Sequence, residues 1–493
     1  MEFCSTRDSA KRVSAAEAVL CGLSPDGGLF LPAEIPHFAA EQVAAMAKKD
    51  YPAMAKAILT AFLPGYTEPE LDEAVAAYRR FTAPEVAPVR KIKNGMWAME
   101  LWHGPTHAFK DFALQLLPRL LTAAARKCGT KKEIVILVAT SGDTGKAALE
   151  GFADVPGTRI GVFYPDGGVS PIQRLQMVTQ AGGNVAVWGV DGNFDDTQNG
   201  VKAIFSDKSL AARLDASGKV LSSANSINWG RLAPQIAYYY WAYAQMLNTG
   251  AIQNGDIVDF CVPTGNFGDI LAGYYAKRSG LPIGKLICAS NRNNVLTQFL
   301  TTGVYDRRRQ FHRTHSPSMD ILISSNLERL LFLLSNDDRR VSDWMEQLRR
   351  DGFYDVGPEM LERIREEGFL AYCCDDERGG RAAGELWEKE GYLCDPHTAV
   401  AVNAVHQHHA LTGDRTPVVV VSTASPFKFP DAVLESINVP FSGEDFEMLE
   451  ALSILSRLPV PDSLASLKTA KEIHTDTLPR SGMKSAVEEW LSK

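Results

Sequence analysis

Ile134-Val135-Ile136-Leu137-Val138-Ala139-Thr140-Ser141-Gly142-Asp143-Thr144-Gly145-Lys146 is the stretch whose reading decides the fold class. Its apolar, largely β-branched run shows no alternation of period two, as in a strand buried on both faces. A Gly-containing turn follows, and a helix is expected from about Lys146. The order recurs downstream. Ile257-Val258-Asp259-Phe260-Cys261-Val262 runs into Pro263-Thr264-Gly265-Asn266-Phe267-Gly268-Asp269, and Pro417-Val418-Val419-Val420-Val421 runs into Ser422-Thr423-Ala424-Ser425-Pro426-Phe427-Lys428-Phe429. Ile160-Gly161-Val162-Phe163, Val185-Ala186-Val187 and Leu286-Ile287-Cys288-Ala289 read as further strands. Strands alternating with helices predict an α/β chain of largely parallel sheets covered by helices.

Two regions depart from that pattern. Residues up to about 95 are Ala-rich with helical spacing, as at Val43, Met46, Met54, Ile58 and Phe62. Residues from about 325 to 393 are dense in charge, and Leu327, Leu330, Leu331, Leu334, Trp344 and Leu348 give the spacing of a helical insertion. Asp395-Pro396 reads as a helix start, with Asp as cap and Pro in the first turn, and Gly413 as its stop.

The 51 Lys and Arg residues stand against 59 Asp and Glu, for a net charge of −8, which leaves no basic footprint for nucleic acid or an anionic membrane. The most apolar stretch, residues 236–247, is too short and too rich in Tyr and Trp to span a bilayer. The N-terminal residues lack a secretory pattern, and the eight cysteines include no CxxC pair, so a cytoplasmic protein with free thiols and no metal is expected.

In α/β sheets ligands bind at the carboxyl ends of strands, so the strand-to-helix turns carry the chemistry. Ser141-Gly142-Asp143-Thr144-Gly145 offers hydroxyls and N–H groups at a helix start, which suits an anion, although the same residues also cap helices without any ligand. In the 263–269 turn, Gly265 and Gly268 let backbone approach a bound group and Thr264 and Asn266 add side-chain donors; an ordinary tight turn would have the same composition. Neither a nucleotide P-loop nor a dinucleotide G-x-G-x-x-G occurs. Lys110 lies among Trp102, Phe109 and Phe112. Lost solvation there favours the neutral amine and Schiff-base chemistry, whereas a lysine at a helix end more commonly snorkels to water.

Together these segments resemble threonine synthase, a pyridoxal-phosphate enzyme family of fold type II, in its longer-chain branch. The likeness covers nearly the whole chain: residues 19–32, the Lys110 segment, both Gly turns, residues 225–231, 318–321 and 324–329, and the 422–429 turn. It implies two open, twisted, largely parallel sheets, with a mostly helical region at 1–95. A large cofactor-binding domain would comprise 96–137 and 225–493, and a small mobile α/β domain 138–224. The family's Schiff-base lysine falls on Lys110. Its cofactor phosphate site falls on Gly265, Asn266, Phe267 and Gly268 with Asp269 beside them, and its pyridine-nitrogen partner on Thr423. The substrate carboxylate would meet Ser141 and Thr144, and the substrate phosphate Asn225, Ser226, Asn228 and Arg231. The implied reaction turns O-phospho-L-homoserine and water into L-threonine and phosphate by γ-elimination and β-addition, in a monomer or homodimer whose partner is a small-molecule substrate.

The sequence departs from the family at Ser425, where His is frequent, and at His107, where a small or apolar residue is usual. Asp143 stands where related enzymes place Asn near the cofactor's phenolic oxygen, so a shared proton or a water is expected to separate two anions. His406, His408 and His409 share a helix but show no ligand spacing, Cys373-Cys374 reads as partly buried thiols, and Arg307-Arg308-Arg309 as a solvated loop. The competing readings are a phospho-lyase or dehydratase with the same cofactor site and a non-catalytic pyridoxal-phosphate-binding protein.

Overall fold

The computed structural model describes residues 1–493 apart from Asn94, Ser141, Ser442 and the side chain of Asp195. Val258–Pro263, Val418–Ser422 and Met96–Glu100 are buried along their whole length, so neither sheet face can meet water and helices must cover both. They form the centre of a six-stranded sheet in the order Phe369–Cys373, Ile283–Ser290, Val258–Pro263, Val418–Ser422, Met96–Glu100, Val89–Lys93. Only Val89–Lys93 runs antiparallel, and its exposed Arg90, Lys91 and Lys93 suit an edge, where bare hydrophobic backbone would invite another strand.

The stretch at 134–138 belongs to a second sheet. It is all parallel, with the order Thr477–Pro479, Val185–Asp191, Thr158–Pro165, Glu133–Ala139, Lys219–Ser222. Its first helix, Asp143–Phe152, starts three residues ahead of the expected Lys146. The cause is Gly142, whose φ of 135° reverses the chain directly after the strand, and a Cβ there would lie 2.4 Å from the Gln173 side chain.

Two expectations are corrected. The 325–393 segment holds four helices, Leu327–Ser335, Asp338–Asp351, Gly357–Glu366 and Asp376–Glu390, but also two strands, and one of these, Phe369–Cys373, is the edge of the six-stranded sheet. The end of the chain, assigned with 225–493 to the large domain, joins the other sheet. Thr477–Pro479 pairs with Val185–Asp191, and Trp490 of the Met483–Ser492 helix packs edge-on against Trp188 with ring centroids 5.7 Å apart. At the other terminus the helices accompany a small antiparallel sheet of Arg12–Val13, Phe3–Ser5 and Phe30–Pro32.

The aromatic run at 236–247 lies inside the 20-residue Trp229–Asn248 helix, which is buried on nearly every side. Tyr238, Tyr239 and Tyr240 remain in the core because each hydroxyl finds an acceptor: Asp269 for the first two, the Ser279 carbonyl for the third. No helix among the described residues is long and apolar enough to cross a membrane.

The Asp143–Phe152 helix is pressed against the Lys110 segment at Gly151, where an added Cβ would lie 2.1 Å from the Leu114 carbonyl oxygen. Backbone cannot yield as a side chain does. Gly151→Ala is therefore expected to destabilise the protein by about 1–3 kcal/mol, measured as a lower urea midpoint with unchanged slope.

Candidate active site

Because Val258–Pro263, Val418–Ser422 and Met96–Glu100 are parallel neighbours, the turns at their carboxyl ends converge. Backbone bonds tie two of them together: the Phe109 N–H donates to the Thr423 carbonyl at 2.8 Å and the Ser425 N–H to the His107 carbonyl at 3.1 Å. Thr423 and Ser425 are buried in this seam, the Ser425 hydroxyl accepting the Phe427 N–H. The 263–268 turn is closed by Ser318, whose carbonyl oxygen would lie 2.6 Å from a Cβ on Gly265.

Lys110 sits at this meeting point, one residue before the Asp111–Leu114 helix. Its Nζ donates to Ser318 Oγ at 2.9 Å, lies 3.8 Å from Asp143 Oδ2, and stands 5.5 Å from the centre of the Phe109 ring. Burial pushes the amine down to about 8, against the upward pull of Asp143.

Asp143 opens its helix beneath Lys110 and is itself buried. Oδ1 accepts from Lys428 Nζ at 2.5 Å and from Gln173 Nε2 at 3.1 Å, while Oδ2 accepts the Ser318 hydroxyl at 3.3 Å. Burial alone would raise the carboxyl; Lys428 and Lys110 outweigh it and hold Asp143 below the usual carboxylate range. Two cations, Lys428 and Lys110, thus flank the Asp143 carboxylate. Lys428 is wholly enclosed and also donates to the Thr106 carbonyl at 3.0 Å.

At the 265–268 turn, Phe267 takes a left-handed conformation, φ 61°, just before the Gly268–Arg278 helix, whose first-turn N–H groups have no intrahelical partner and favour an anion. Ser324 Oγ donates to the Gly265 carbonyl at 2.7 Å and Asn326 Nδ2 to the Asn266 carbonyl at 2.9 Å, holding the turn open. Asp269, the second residue of that helix, is buried. Its side chain accepts from the Tyr238 and Tyr239 hydroxyls at 2.6 and 2.9 Å, and burial pushes it up to about 6.

The 225–231 residues separate. Asn225 is exposed and Ser226 half-buried. Asn228 is spent on structure: Oδ1 caps the Trp229–Asn248 helix at the Gly230 N–H, and Nδ2 donates to the carbonyls of Val19 and Ser223. Arg231 is buried with Nη1 on the Ala224 carbonyl at 2.6 Å, its Nε has no partner among the described residues, and burial pushes it down to about 10. Unmet donors on a buried guanidinium suit a ligand anion. Thr144 is the half-buried second residue of its helix, and Ser141 lies outside the described residues.

His107 pairs with the Ser463 hydroxyl at 2.5 Å, and burial, with Lys428 nearby, pushes its imidazole down to about 3, so it stays neutral. The sequence assigns no role to Lys428, Ser318, Gln173 or His397, and to Asp395 only that of helix cap, which it fills. Lys428 has a signal, since Phe427 and Phe429 flank it much as Phe109 and Phe112 surround Lys110, and Ser318 opens the 318–321 segment of the resemblance; His397 has none. Away from the site, His408 meets Asp259 and Asp414 at the far end of the Val258–Pro263 strand, where Lys285 Nζ, 2.5 Å from Asp414 and 3.8 Å from Asp259, supplies the positive charge. Cys373 is half-buried, and burial raises the Cys374 thiol to about 12. Arg308 pairs with Asp306 and lies over the Phe353 ring.

Residues 2–78 match the family model for the threonine synthase N terminus, residues 81–424 that for pyridoxal-phosphate dependent enzymes, and residues 398–487 that for the threonine synthase C-terminal region. Threonine synthase of Schizosaccharomyces pombe is 39% identical over 464 residues, 88% of either chain. Threonine synthase-like 1 of Homo sapiens is 39% identical over 453 residues, 89% of this chain and 60% of its own. The crystal structure of PLP-bound threonine synthase from Brucella melitensis superposes with a TM-score of 0.88 at 38% identity, over 100% of this chain and 98% of that one.

Lys428→Met strands a buried carboxylate and is expected to cost about 3–5 kcal/mol in urea unfolding, most of it recovered in Lys428→Met with Asp143→Asn. Asp143 titrates below an unfolded aspartate, about 3.9, so its contribution is complete above that pH and is lost as acid protonates the folded carboxylate. The stability gap between wild type and Asp143→Asn should shrink as the pH falls below about 4.

Proposed function

The chain belongs to the threonine synthase family, and from that premise we propose that Lys110 is the catalytic residue of the site where its three turns meet. The activity is that of a pyridoxal-phosphate-dependent lyase of fold type II, converting O-phospho-L-homoserine and water to L-threonine and phosphate, the last step of threonine biosynthesis. The residues present fit the cofactor: a desolvated lysine for its aldehyde, free N–H groups at a helix start for its phosphate, and a neutral hydroxyl at Thr423 for its ring nitrogen. The observation that carries the reading is Lys110 itself, a largely enclosed amine brought to about 8 and hydrogen-bonded to Ser318.

When bound, the cofactor supplies an electron sink for negative charge developing on substrate carbons. The protein's part is to move protons and exclude water. Lys110 Nζ, whose proton desolvation loosens to about 8, can once neutral take a proton from the substrate Cα and return it elsewhere. Gly265, Asn266, Phe267 and Gly268 are assigned to the cofactor phosphate, with Asp269 bracing them through Tyr238 and Tyr239. Ser141 and Thr144 are assigned to the substrate carboxylate, and Arg231 with Asn225 and Ser226 to its phosphate. Asn228 serves that site indirectly, by capping the helix that carries Arg231. Asp143 and Lys428 come from different sheets, so their pair latches the five-stranded unit over Lys110 and keeps water out. We also place the enzyme in the cytoplasm, where its eight free cysteines remain thiols.

Wild-type protein loaded with pyridoxal phosphate is expected to release threonine and phosphate in equal amounts from O-phosphohomoserine. Lys110→Ala should lower kcat by about a thousandfold or more. Release of an oxo acid and ammonia in place of threonine would assign the site to a phospho-lyase or dehydratase. Arg231→Gln is expected to raise KM for the phosphorylated substrate by about tenfold or more, with kcat less affected.

A further inference from the structure

Lys110 is held by residues outside its own loop. Ser318, on the short Pro317–Met319 turn, accepts from Lys110 Nζ at 2.9 Å. The Ser318 main chain is gripped from both sides. Its carbonyl presses on Gly265, and its N–H donates to His397 Nε2 at 3.1 Å. A ring nitrogen that accepts must be bare, so the His397 proton sits on Nδ1, and Asp395 Oδ2 receives it at 2.7 Å.

Asp395 is fully buried and caps the Pro396–Thr412 helix, accepting the His397 N–H at 2.9 Å and the Thr398 N–H at 3.3 Å, together with the Thr398 hydroxyl. His397 is also buried, and Phe429 packs edge-on against its ring at 5.1 Å, next to Lys428. The imidazole therefore has one tautomer and one orientation.

We propose that Asp395 and His397 are positioning residues for Lys110: the carboxylate sets the imidazole tautomer, the imidazole anchors the Ser318 backbone, and the Ser318 hydroxyl aims the amine. The proposal rests on the reading of Lys110 as catalytic and adds to it a chain of three residues that fixes where the amine points. The groups facing Lys110 are Asp143, Lys428 and Arg231, and those facing His397 are Asp395, Asp320 and Asp143. With these charges left in place, removal of the Ser318 hydroxyl takes from the lysine only a neutral acceptor, which favours its protonated form.

The test uses the holoenzyme and four variants. Ser318→Ala removes the hydroxyl, Asp395→Asn retains a helix-capping side chain but cannot accept at both oxygens, His397→Phe keeps the ring without its nitrogens, and Ser318→Thr restores the hydroxyl. In the first three, kcat is expected to fall about tenfold or more with KM within about threefold, and the acid limb of the kcat–pH profile to move down by about half a unit or more. The pH at which the bound cofactor's absorbance changes should move the same way, and Ser318→Thr should recover most of both effects. Ser318→Ala and Asp395→Asn that fold, bind cofactor, and keep the wild-type kcat and pH profile would overturn the proposal, as would variants that lose only thermal stability. Turnover surviving in Lys110→Ala would instead overturn the catalytic reading of Lys110, so the two failures are distinguishable.

Discussion

One buried carboxylate, shared between two lysines, organises the site. Removing three charged groups from water is costly, and it is tolerable here because Asp143 meets Lys428 at 2.5 Å and Lys110 at 3.8 Å in an interior where attraction is little screened. The division is unequal. Lys428 takes the short contact and a backbone carbonyl, leaving Lys110 with a distant carboxylate and a neutral hydroxyl. With this poorer compensation, burial pushes Lys110 down to about 8. A second lysine thus serves two ends: it keeps Asp143 ionised, and it repels charge on the amine proposed to react.

That balance depends on geometry imposed from far away in the chain. The N-terminal region contributes no group to the cluster, yet Thr6 and Arg7 bind Glu328 at 2.5 and 2.8 Å, and Arg329 Nε donates to the Phe30 carbonyl at 2.9 Å. These contacts seat the Leu327–Ser335 helix, whose preceding residues Ser324 and Asn326 hold the Gly265 turn. From the other side, the paired tyrosines of the Trp229–Asn248 helix secure the first turn of Gly268–Arg278 through Asp269. The Gly265 turn and the helix after it are thus held from both sides by hydrogen bonds to residues distant in the chain.

What the sequence reveals and what it hides divide along physical lines. Unbroken β-branched runs such as 134–138 and 418–421 can do little but cross a covered sheet, and the Gly-rich turns after them had to lie at strand ends. Lys110, Asp143 and Thr423 were legible because each sits in or beside such a turn. Phe369–Cys373 was hidden among helices since five residues carry too little periodicity to mark a strand. The roles of Ser318 and His397 were hidden for another reason: they lie in bonds spanning 208 and 79 residues, which neither the 318–321 segment nor the Asp395 cap announces. Thr477–Pro479 joining the smaller sheet is a contact of the same long-range kind.

Charge illustrates the same separation of scales. A net charge of −8 argues against polyanion partners, but it averages over a surface that the site does not see. Around the site the cations Lys110, Lys428 and Arg231 outnumber the carboxylates Asp143 and Asp111, so the local balance is positive where the whole is negative. Arg231 and Lys428 are buried, and a buried cation is costly unless an anion or a carbonyl answers it. Lys428 has its answer in Asp143 and Thr106. Arg231 has only the Ala224 carbonyl and an unmet Nε, so it is the group whose desolvation the protein leaves uncompensated. The proposed substrate phosphate would supply that compensation, which makes Arg231 a strained donor before binding and a satisfied one after it. Affinity for the anion is then set by the local deficit, and the acidic exterior is incidental to it.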